Sequence, residues 1–337
     1  MFSRLMGTGR FMIRIFAMSL LAFFAGLAQS SDASAQPSIA VSRTPLSLPI
    51  IVAREQGFFQ AQGLTPDITE CIGGTRCLNS LLSGKSQYAT CSELPIVFAS
   101  FKRQDFALLA SFVSNTKDMK LLVQSDLMSG FPQSLKGQKI GIVAESASHY
   151  YLDLVLSLYG LEPDSVERVP LAPEKLTPAL ATGKVQGISA WEPYGFKTTE
   201  LMAEQVAVVD DLSVFNQSFN LVVTKEHLTN HPEQAEKLLR ALKLANAFIQ
   251  ENPGRAKEIL SQWLDLKSKF VEYSFPDHDY RLSITQSLVT SMLSQRQWAA
   301  PFAQAPSADA FSIFELIDTR TLKSVEPSQV KLLGDTR

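Results

Sequence analysis

Short apolar runs alternate with longer amphipathic stretches along most of this chain, and this alternation restricts the fold more than any other feature. Strands are predicted at 38–42, 88–91, 107–113, 139–143 and 185–190. Helices are predicted among them, at 49–60, 75–82, 147–159 and 174–182. Strands joined by helices of this length form parallel sheets with right-handed crossovers. The pattern therefore predicts an α/β protein with mostly parallel sheets flanked by helices.

The last third of the chain is predicted to be mainly helical. Residues 232–250 begin with Pro232 at the first helical position and place an apolar stripe along one face, formed by Ala235, Leu238, Leu239, Leu242, Ala245 and Phe248. Further helices are predicted at 253–264 and 279–293. We expect this helical third to pack back onto an earlier part of the chain.

The first 35 residues have the three parts of a secretory signal peptide. Residues 1–14 carry three arginines and no acid, 15–27 are almost wholly apolar, and Ala33-Ser34-Ala35 is a small-residue cleavage site. The apolar part is shorter than the roughly 20 residues that span a bilayer. No cysteine follows the cleavage site and no twin-arginine pair precedes it. We therefore expect cleavage after Ala35 and an exported protein, soluble in a bacterial periplasm.

The composition sets further limits. Cleavage would leave about 300 residues, which is more than one hydrophobic core commonly serves, so two lobes are expected. The whole chain has a formal net charge of −2, and this mild acidity argues against nucleic acid or an anionic membrane as partner. The sequence after residue 35 contains no nucleophile elbow, phosphate-binding loop or dinucleotide fingerprint. We therefore expect no catalytic residues and no cofactor.

Two histidines and three cysteines are the candidates for metal and disulfide chemistry. His227 and His231 have a spacing that suits a metal, but Pro232 follows where a helix should begin, so no metal site is predicted. In an oxidising compartment Cys71 and Cys77 can close a short disulfide loop and leave Cys91 free. Alternatively all three cysteines are small buried hydrophobic residues, because spacing alone does not establish the Cα separation that a disulfide needs.

Two segments combine a strand, a small polar turn and a helix. The first runs through Gly73-Gly74-Thr75-Arg76, and the second through Ser146-Ala147-Ser148-His149. Each presents backbone N–H groups at a helix N-terminus, where the helix dipole and the free donors favour an anion. Because ligands of open α/β sheets bind beyond the carboxyl ends of the strands, the two turns predict a small polar ligand held between them.

An ordered set of short motifs resembles the nitrate/sulfonate/taurine-type solute-binding proteins of ABC importers. In chain order the motifs are LPIIVAREQGFF (48–59), GL (63–64), LLSGK (81–85), LKGQKIG (135–141), ALATGKV (179–185) and WEP (191–193). The resemblance covers about residues 38–225. It implies the two-lobed, type II periplasmic binding protein fold, with a ligand cleft between lobes that close around a hinge.

The resemblance also implies how the chain is divided and what it binds. Lobe one would comprise 36–122 and 222–337, and lobe two 123–221, with crossings near 120–124 and 220–225. The protein would be a monomer that binds a small solute, delivers it to an ABC transporter permease and catalyses no reaction. A pyrimidine-precursor synthase with the same fold and a ligand-sensing subunit of a membrane receptor are the alternative functions.

Candidate ligand contacts follow from the family's cleft positions and from the two helix ends. They are Thr44, Pro45, Leu46, Gly73, Gly74, Thr75, Arg76, Ser92, Glu93, Ser146, Ser148, His149, Trp191 and Glu192. Arg76 could pair with a sulfonate or carboxylate, and Trp191 could form a flat apolar wall. If Glu93 and Glu192 both faced the ligand, a zwitterion or a nitrogenous compound would fit better than a plain anion such as nitrate.

Overall fold

The computed structural model describes residues 36–209, 213–303 and 312–333, so the predicted signal peptide lies outside the described part of the chain. The strands are β1 (Ser38–Ser42), β2 (Asp67–Cys71), β3 (Tyr88–Cys91), β4 (Phe106–Asn115), β5 (Met119–Gln124), β6 (Lys139–Ile142), β7 (Glu167–Pro170), β8 (Gly187–Trp191), β9 (Val206–Val208), β10 (Gln217–Thr224), β11 (His278–Asp279), β12 (Ile284–Thr285) and β13 (Val330–Lys331). The α-helices are α1 (Leu48–Glu55), α2 (Phe58–Ala61), α3 (Gly74–Leu82), α4 (Glu93–Ser100), α5 (Ala147–Leu158), α6 (Leu176–Ala181), α7 (Tyr194–Met202), α8 (Lys225–Asn230), α9 (Pro232–Glu251), α10 (Pro253–Leu264), α11 (Ser268–Ser274), α12 (Gln286–Ala299) and α13 (Thr319–Val325).

The strands form two principal sheets. The six-stranded sheet has the order β11-β4-β10-β3-β1-β2, and the five-stranded sheet has the order β7-β6-β8-β5-β9. The sheets are mixed rather than mostly parallel. β1 is parallel to β2 and β3, but β10 is antiparallel to β3 and β4. Likewise β6 is parallel to β7 and β8, but β5 is antiparallel to β8 and β9. The reason is that β5 and β10 enter their sheets from the opposite sheet, so they run against the local strands.

The chain crosses between the two sheets twice. It leaves the six-stranded sheet between Asn115 and Met119, and it returns between Val208 and Gln217. The predicted lobe limits after 122 and after 221 therefore fall inside β5 and β10, and each whole strand belongs to the sheet it enters. The division into lobes stays a prediction. If each lobe contains one whole sheet, its limits lie a few residues earlier in the chain than predicted.

Several predicted elements agree closely with the structure. β1, β3 and α10 have the predicted bounds, and α9 ends one residue later than predicted. The predicted helix at 49–60 is divided into α1 and α2, because Gly57 adopts a left-handed conformation with φ of 71°. The predicted helix at 279–293 begins only at Gln286, since residues before it pair as β11 and β12.

The core of the six-stranded sheet depends on the amphipathic helices that cover it. α9 buries Ala235, Leu238, Leu239, Leu242 and Ala245 together with α1, as its apolar stripe predicts. On the other face, α3 and α4 bury Cys77, Leu78, Leu81 and Leu94. Because helices cover both faces, β4 and β10 are buried along almost their whole length.

The C-terminal helices also contact the five-stranded sheet's helices. Trp298 at the end of α12 donates its indole N–H to Asp153 Oδ2 of α5 at 2.9 Å. Arg168 Nη2 donates to the other oxygen, Oδ1, at 2.6 Å. The Trp298 ring also packs against Tyr150, with ring centroids 5.0 Å apart. The helical third therefore contacts helices of both sheets rather than one.

None of the helices in the described ranges is long and apolar enough to cross a membrane.

The Asp153 cluster yields a stability prediction. Asp153→Asn should lower the free energy of unfolding by about 2 kcal/mol, because it removes a charge-assisted hydrogen bond from the mostly buried Arg168. Asp164→Asn is the matched control, since Asp164 lies 3.9 Å from the same guanidinium but its side chain is fully exposed. Asp164→Asn should lower the free energy of unfolding far less than Asp153→Asn, because ion pairs of exposed side chains contribute little to stability. Urea unfolding measures both, and equal effects of the two variants would contradict this account.

Candidate functional site

A cavity of about 390 Å³ lies between the two sheets. The connections of the six-stranded sheet contribute one wall, which contains Ser42, Thr44, Ile72, Gly73, Gly74, Thr75, Arg76, Ser92, Pro95, Gln217 and Phe219. The connections of the five-stranded sheet contribute the other wall, which contains Val143, Ala144, Ser146, Ala147, Pro170, Leu171, Ala172, Pro173 and Trp191. Most of these residues follow the carboxyl ends of β1, β2, β3, β6, β7 and β8, where α/β sheets bind ligands. We call this space the cleft cavity.

The turn between β2 and α3 is closed by a disulfide bond. Cys71 and Cys77 are bonded, with their Cα atoms 5.7 Å apart, and Cys91 is free and buried. Of the two alternatives open at the sequence level, the structure therefore has the disulfide. The bond encloses the cavity-lining residues 72–76, so it holds this turn in a short covalent ring.

Two glycines in this turn permit close packing. A Cβ on Gly74 would lie 2.8 Å from Cys91 Cβ, so no larger residue fits between α3 and β3 without displacement. Gly73 has φ of +85°, and a Cβ there would lie 3.7 Å from the Trp191 ring. The turn therefore approaches both its own sheet and the indole on the opposite wall.

Three helix N-termini meet at the cleft cavity. α3 begins at Gly74, α4 begins just after Ser92, and α5 begins just after Ser146. Ser146 caps α5, since its Oγ accepts from the Ser148 N–H at 3.2 Å and donates to the Val143 carbonyl at 2.7 Å. Helix N-termini carry partial positive charge and free N–H donors. Their convergence makes the cavity favourable for an anionic group.

Two buried polar side chains of the cavity wall lack a hydrogen-bond partner in the described structure. They are Thr44, at its Oγ1, and Gln217, at its Oε1. Buried polar groups are nearly always hydrogen-bonded, and leaving one unpaired costs about 1–3 kcal/mol. A polar ligand in the cavity could supply the missing partners.

The Arg76 guanidinium is engaged across the cavity. Its Nη2 lies 3.3 Å from Glu174 Oε1, which follows β7 on the opposite wall, and both side chains are roughly half exposed. Such an exposed pair contributes little to stability. It nevertheless joins the two walls at the edge of the cavity and orients Arg76 toward Glu174.

Eight of the predicted ligand contacts line the cleft cavity, namely Gly73 and seven others. The others are Thr44, Gly74, Thr75, Arg76, Ser92, Ser146 and Trp191. The structure places Pro45 and Leu46 in the buried layer below Thr44. Ser148 is buried, donating to the Ser189 carbonyl at 2.6 Å and accepting from the Val143 N–H at 2.9 Å. The His149 ring packs against Trp298 with centroids 4.8 Å apart.

The two predicted glutamates do not line the cleft cavity. Glu93 Oε1 accepts from the N–H and hydroxyl of Ser218, at 2.9 and 2.6 Å. Glu192 Oε2 accepts from the Phe196 N–H at 2.9 Å, beside the crossing into β5. Burial raises the pKa of each to about 7, although the hydrogen bonds to Ser218 and Phe196 oppose the shift. Each therefore has a structural partner outside the cavity.

Sequence reasoning missed part of the wall. Gln217 and Phe219 belong to β10, which was not predicted as a strand, although the apolar and β-branched run at 221–224 could have indicated it. Pro170 and Pro173 surround an apolar turn after β7, and only the position of this turn after a strand could have pointed to it. In the described residues no group of three His, Cys, Asp or Glu side chains could hold a metal ion.

Two mixed sheets flanked by helices, with a cavity between them, are the architecture of the two-lobed periplasmic binding protein fold. The structure resembles the alkanesulfonate-binding protein SsuA from Xanthomonas axonopodis pv. citri, solved with bound MOPS. The TM-score is 0.71 at 16% identity, covering 84% of this chain and 98% of that one. The predicted fold class is confirmed.

The chain belongs to the NMT1/THI5 like family, whose model matches residues 44–256. A Bacillus subtilis (strain 168) protein named as an aliphatic sulfonates-binding protein is 23% identical, over 66% of this chain and 69% of its own length. The taurine-binding periplasmic protein of Escherichia coli (strain K12) is 27% identical, over 52% of this chain and 53% of its own. A 4-amino-5-hydroxymethyl-2-methylpyrimidine phosphate synthase of Saccharomyces cerevisiae (strain ATCC 204508 / S288c) is 23% identical, over 67% and 69% respectively.

The disulfide ring yields a stability prediction. Cys71→Ser combined with Cys77→Ser should lower the free energy of unfolding by about 2 kcal/mol, because the short loop is no longer constrained in the unfolded chain. Dithiothreitol should lower the free energy of unfolding of the wild type by a similar amount, which is measured as a lower urea midpoint. Cys91→Ala is the control that keeps the disulfide and should remain sensitive to dithiothreitol. Sensitivity in the double-serine variant would contradict the assignment.

Glu192 yields a prediction about pH. Because its pKa is about 7 in the folded protein and lower in the unfolded chain, its contribution to stability is complete below about pH 4.5 and is lost as pH rises through 7. The free energy of unfolding of Glu192→Gln, relative to that of the wild type, should therefore rise by up to about 3 kcal/mol between pH 5 and pH 8. The exposed Glu162→Gln should show no such change. Urea unfolding at both pH values tests this, and parallel curves for wild type and Glu192→Gln would refute it.

Proposed function

We propose that this chain is a solute-binding protein that captures a small organic anion of the sulfonate type. The observation that carries the proposal is the convergence of the N-termini of α3, α4 and α5 on the cleft cavity. The described lining residues include no Asp or Glu that would repel an anion. The Thr44 hydroxyl, which has no partner in the described structure, can donate a hydrogen bond to one of its oxygens, whereas the unpaired Gln217 Oε1 is an acceptor and suits a donor elsewhere on the solute.

The rest of the cavity wall supports an organic rather than an inorganic anion. Ile72, Leu171, Pro173, Trp191 and Phe219 form apolar surface around the polar groups. A nitrate ion would leave this surface in contact with water, whereas the carbon part of an organic sulfonate would cover it. A zwitterion or cationic nitrogen compound is less favoured, because Glu93 and Glu192 lie outside the cavity.

We further propose that the two sheets belong to lobes that close around the solute. The hinge lies where the chain leaves the six-stranded sheet after Asn115 and where it re-enters at Gln217, and the Arg76–Glu174 pair across the cavity belongs to the closed form. A closed form excludes water and presents a distinct surface to a permease. A periplasmic location is supported by the predicted signal peptide and by the periplasmic taurine-binding relative, and delivery to an ABC importer is part of the proposal.

A synthase activity is the second candidate, because the yeast synthase is as similar in sequence as the Bacillus protein. The two functions differ in what happens to the bound compound. A binding protein returns its solute unchanged after denaturation, whereas a synthase yields a new product. Mass spectrometry of the compound recovered after prolonged incubation distinguishes them, and recovery of a stoichiometric product would reject the binding-protein proposal.

Calorimetric titration of the chain with alkanesulfonates, taurine, nitrate and a pyrimidine tests the ligand class. An alkanesulfonate should bind one to one and more tightly than nitrate. Trp191→Leu should weaken the alkanesulfonate by about tenfold or more, a loss of about 1.4 kcal/mol, because the indole forms the apolar wall. Trp263→Leu is the matched control, since Trp263 lies outside the cavity and donates to Glu70. Equal affinities of the two variants, or binding of nitrate alone, would refute the proposed site.

A further inference from the structure

A second cavity, of about 360 Å³, lies outside the cleft cavity and shares no lining residue with it. Its wall comes from β4, α5, the segment entering β10, the β11–β12 region and α12. Half of its lining residues are serines and threonines, among them Ser111, Ser114, Ser283 and Ser291. Hydroxyl groups both donate and accept hydrogen bonds, so this hydroxyl cavity is suited to a polar compound.

One carboxylate of the hydroxyl cavity has no positively charged side chain paired with it in the described structure. Arg281 lines the cavity, but its Nη2 lies 2.6 Å from Asp279 Oδ2, so the two charges pair with each other. Glu93 also lines the cavity and is 1% exposed. No basic side chain of the described residues pairs with it, since its Oε1 accepts from Ser218 and its Oε2 has no hydrogen-bond partner.

Neighbouring residues along the chain face the two cavities alternately. Ser92 and Gln217 line the cleft cavity, whereas Glu93 and Ser218 line the hydroxyl cavity. The start of α4 and β10 therefore separate the two spaces. An occupant of the hydroxyl cavity would contact Glu93 without entering the cleft cavity.

We propose that the hydroxyl cavity is a second binding site, which takes a small amino alcohol with its protonated amine directed to Glu93. An ammonium group has three donors and no acceptor, so it complements an unpaired carboxylate oxygen surrounded by hydroxyls. The compound's own hydroxyl groups exchange hydrogen bonds with the serines and threonines of the wall. The volume lies within the range of small-molecule sites, which begins at about 300 Å³.

On the α5 side of the hydroxyl cavity, Tyr150 contributes a further neutral hydroxyl to the wall. Burial and the nearby Glu93 charge raise the pKa of its phenol, so the hydroxyl stays protonated. Its ring is held by Phe215 and Trp298, with centroids 5.5 and 5.0 Å away. The wall therefore offers neutral hydroxyls, the Asp279–Arg281 ion pair and one carboxylate without a basic partner among the described residues, which favours a cation over an anion.

Matched pairs of compounds test the proposal on the full chain. The probes are ethanolamine, serinol and glucosamine, each compared with the analogue that has a hydroxyl in place of the amine: ethylene glycol, glycerol and glucose. At least one amine should bind one to one, about tenfold or more tightly than its analogue. Failure of all three amines at millimolar concentration, or equal binding of amine and analogue, would overturn the proposal.

Variants locate the bound amine. Glu93→Gln, which keeps an acceptor for Ser218, and Ser291→Leu, which fills the hydroxyl cavity, should each weaken the amine by about tenfold or more. The exposed Glu162→Gln and the cleft variant Trp191→Leu should leave the amine's affinity unchanged. Thermal unfolding establishes that each variant is folded before its titration is interpreted. Loss of amine binding in Trp191→Leu, with retention in Glu93→Gln and Ser291→Leu, would place the amine in the cleft cavity and refute the second site.

Discussion

The antiparallel strand β10 is the element on which the rest of this structure depends. It enters the six-stranded sheet from the other sheet and hydrogen-bonds along both edges, to β3 and to β4. Its residues are buried along almost their whole length, so the returning chain cannot move without opening the core. Gln217 and Ser218, at its start, reach the cleft cavity and Glu93 respectively. One strand therefore fixes the sheet, a wall of the cleft and the position of a buried carboxylate.

The preference for an anion that we propose for the cleft cavity comes from backbone geometry rather than from charged side chains. Helices α3, α4 and α5 direct their N-termini to it because each follows a strand whose carboxyl end lies at the same edge. The Cys71–Cys77 bond and Gly74 fix the first of these helix ends against β3. The only charged residue of the wall among those described, Arg76, is paired with Glu174. Preorganised N–H donors can hold an anion without a buried cation whose desolvation would be costly.

The elements that were predicted correctly are those whose sequence pattern depends on local burial. β1, β3 and α9 each have a face determined by neighbours in the sequence, so periodicity located them. β5 and β10 were not predicted, although their partners are no more remote in sequence than those of β3, which pairs with β10. Glu93 was expected in the cleft cavity, but it lines the hydroxyl cavity instead. Its direction depends on Ser218, which is remote in sequence.

The amino-acid sequence alone determined the α/β class, the family and the two turns that contribute helix N-termini, because these follow from local periodicity and short motifs. It also limited the cysteines to two alternatives. Tertiary structure decided which alternative holds, which candidate residues share a cavity and which acids lie elsewhere. The physical reason is that side-chain direction depends on strand pairing between segments far apart in the chain. The Cα separation of Cys71 and Cys77 depends on the path of the turn between β2 and α3, which spacing alone does not give.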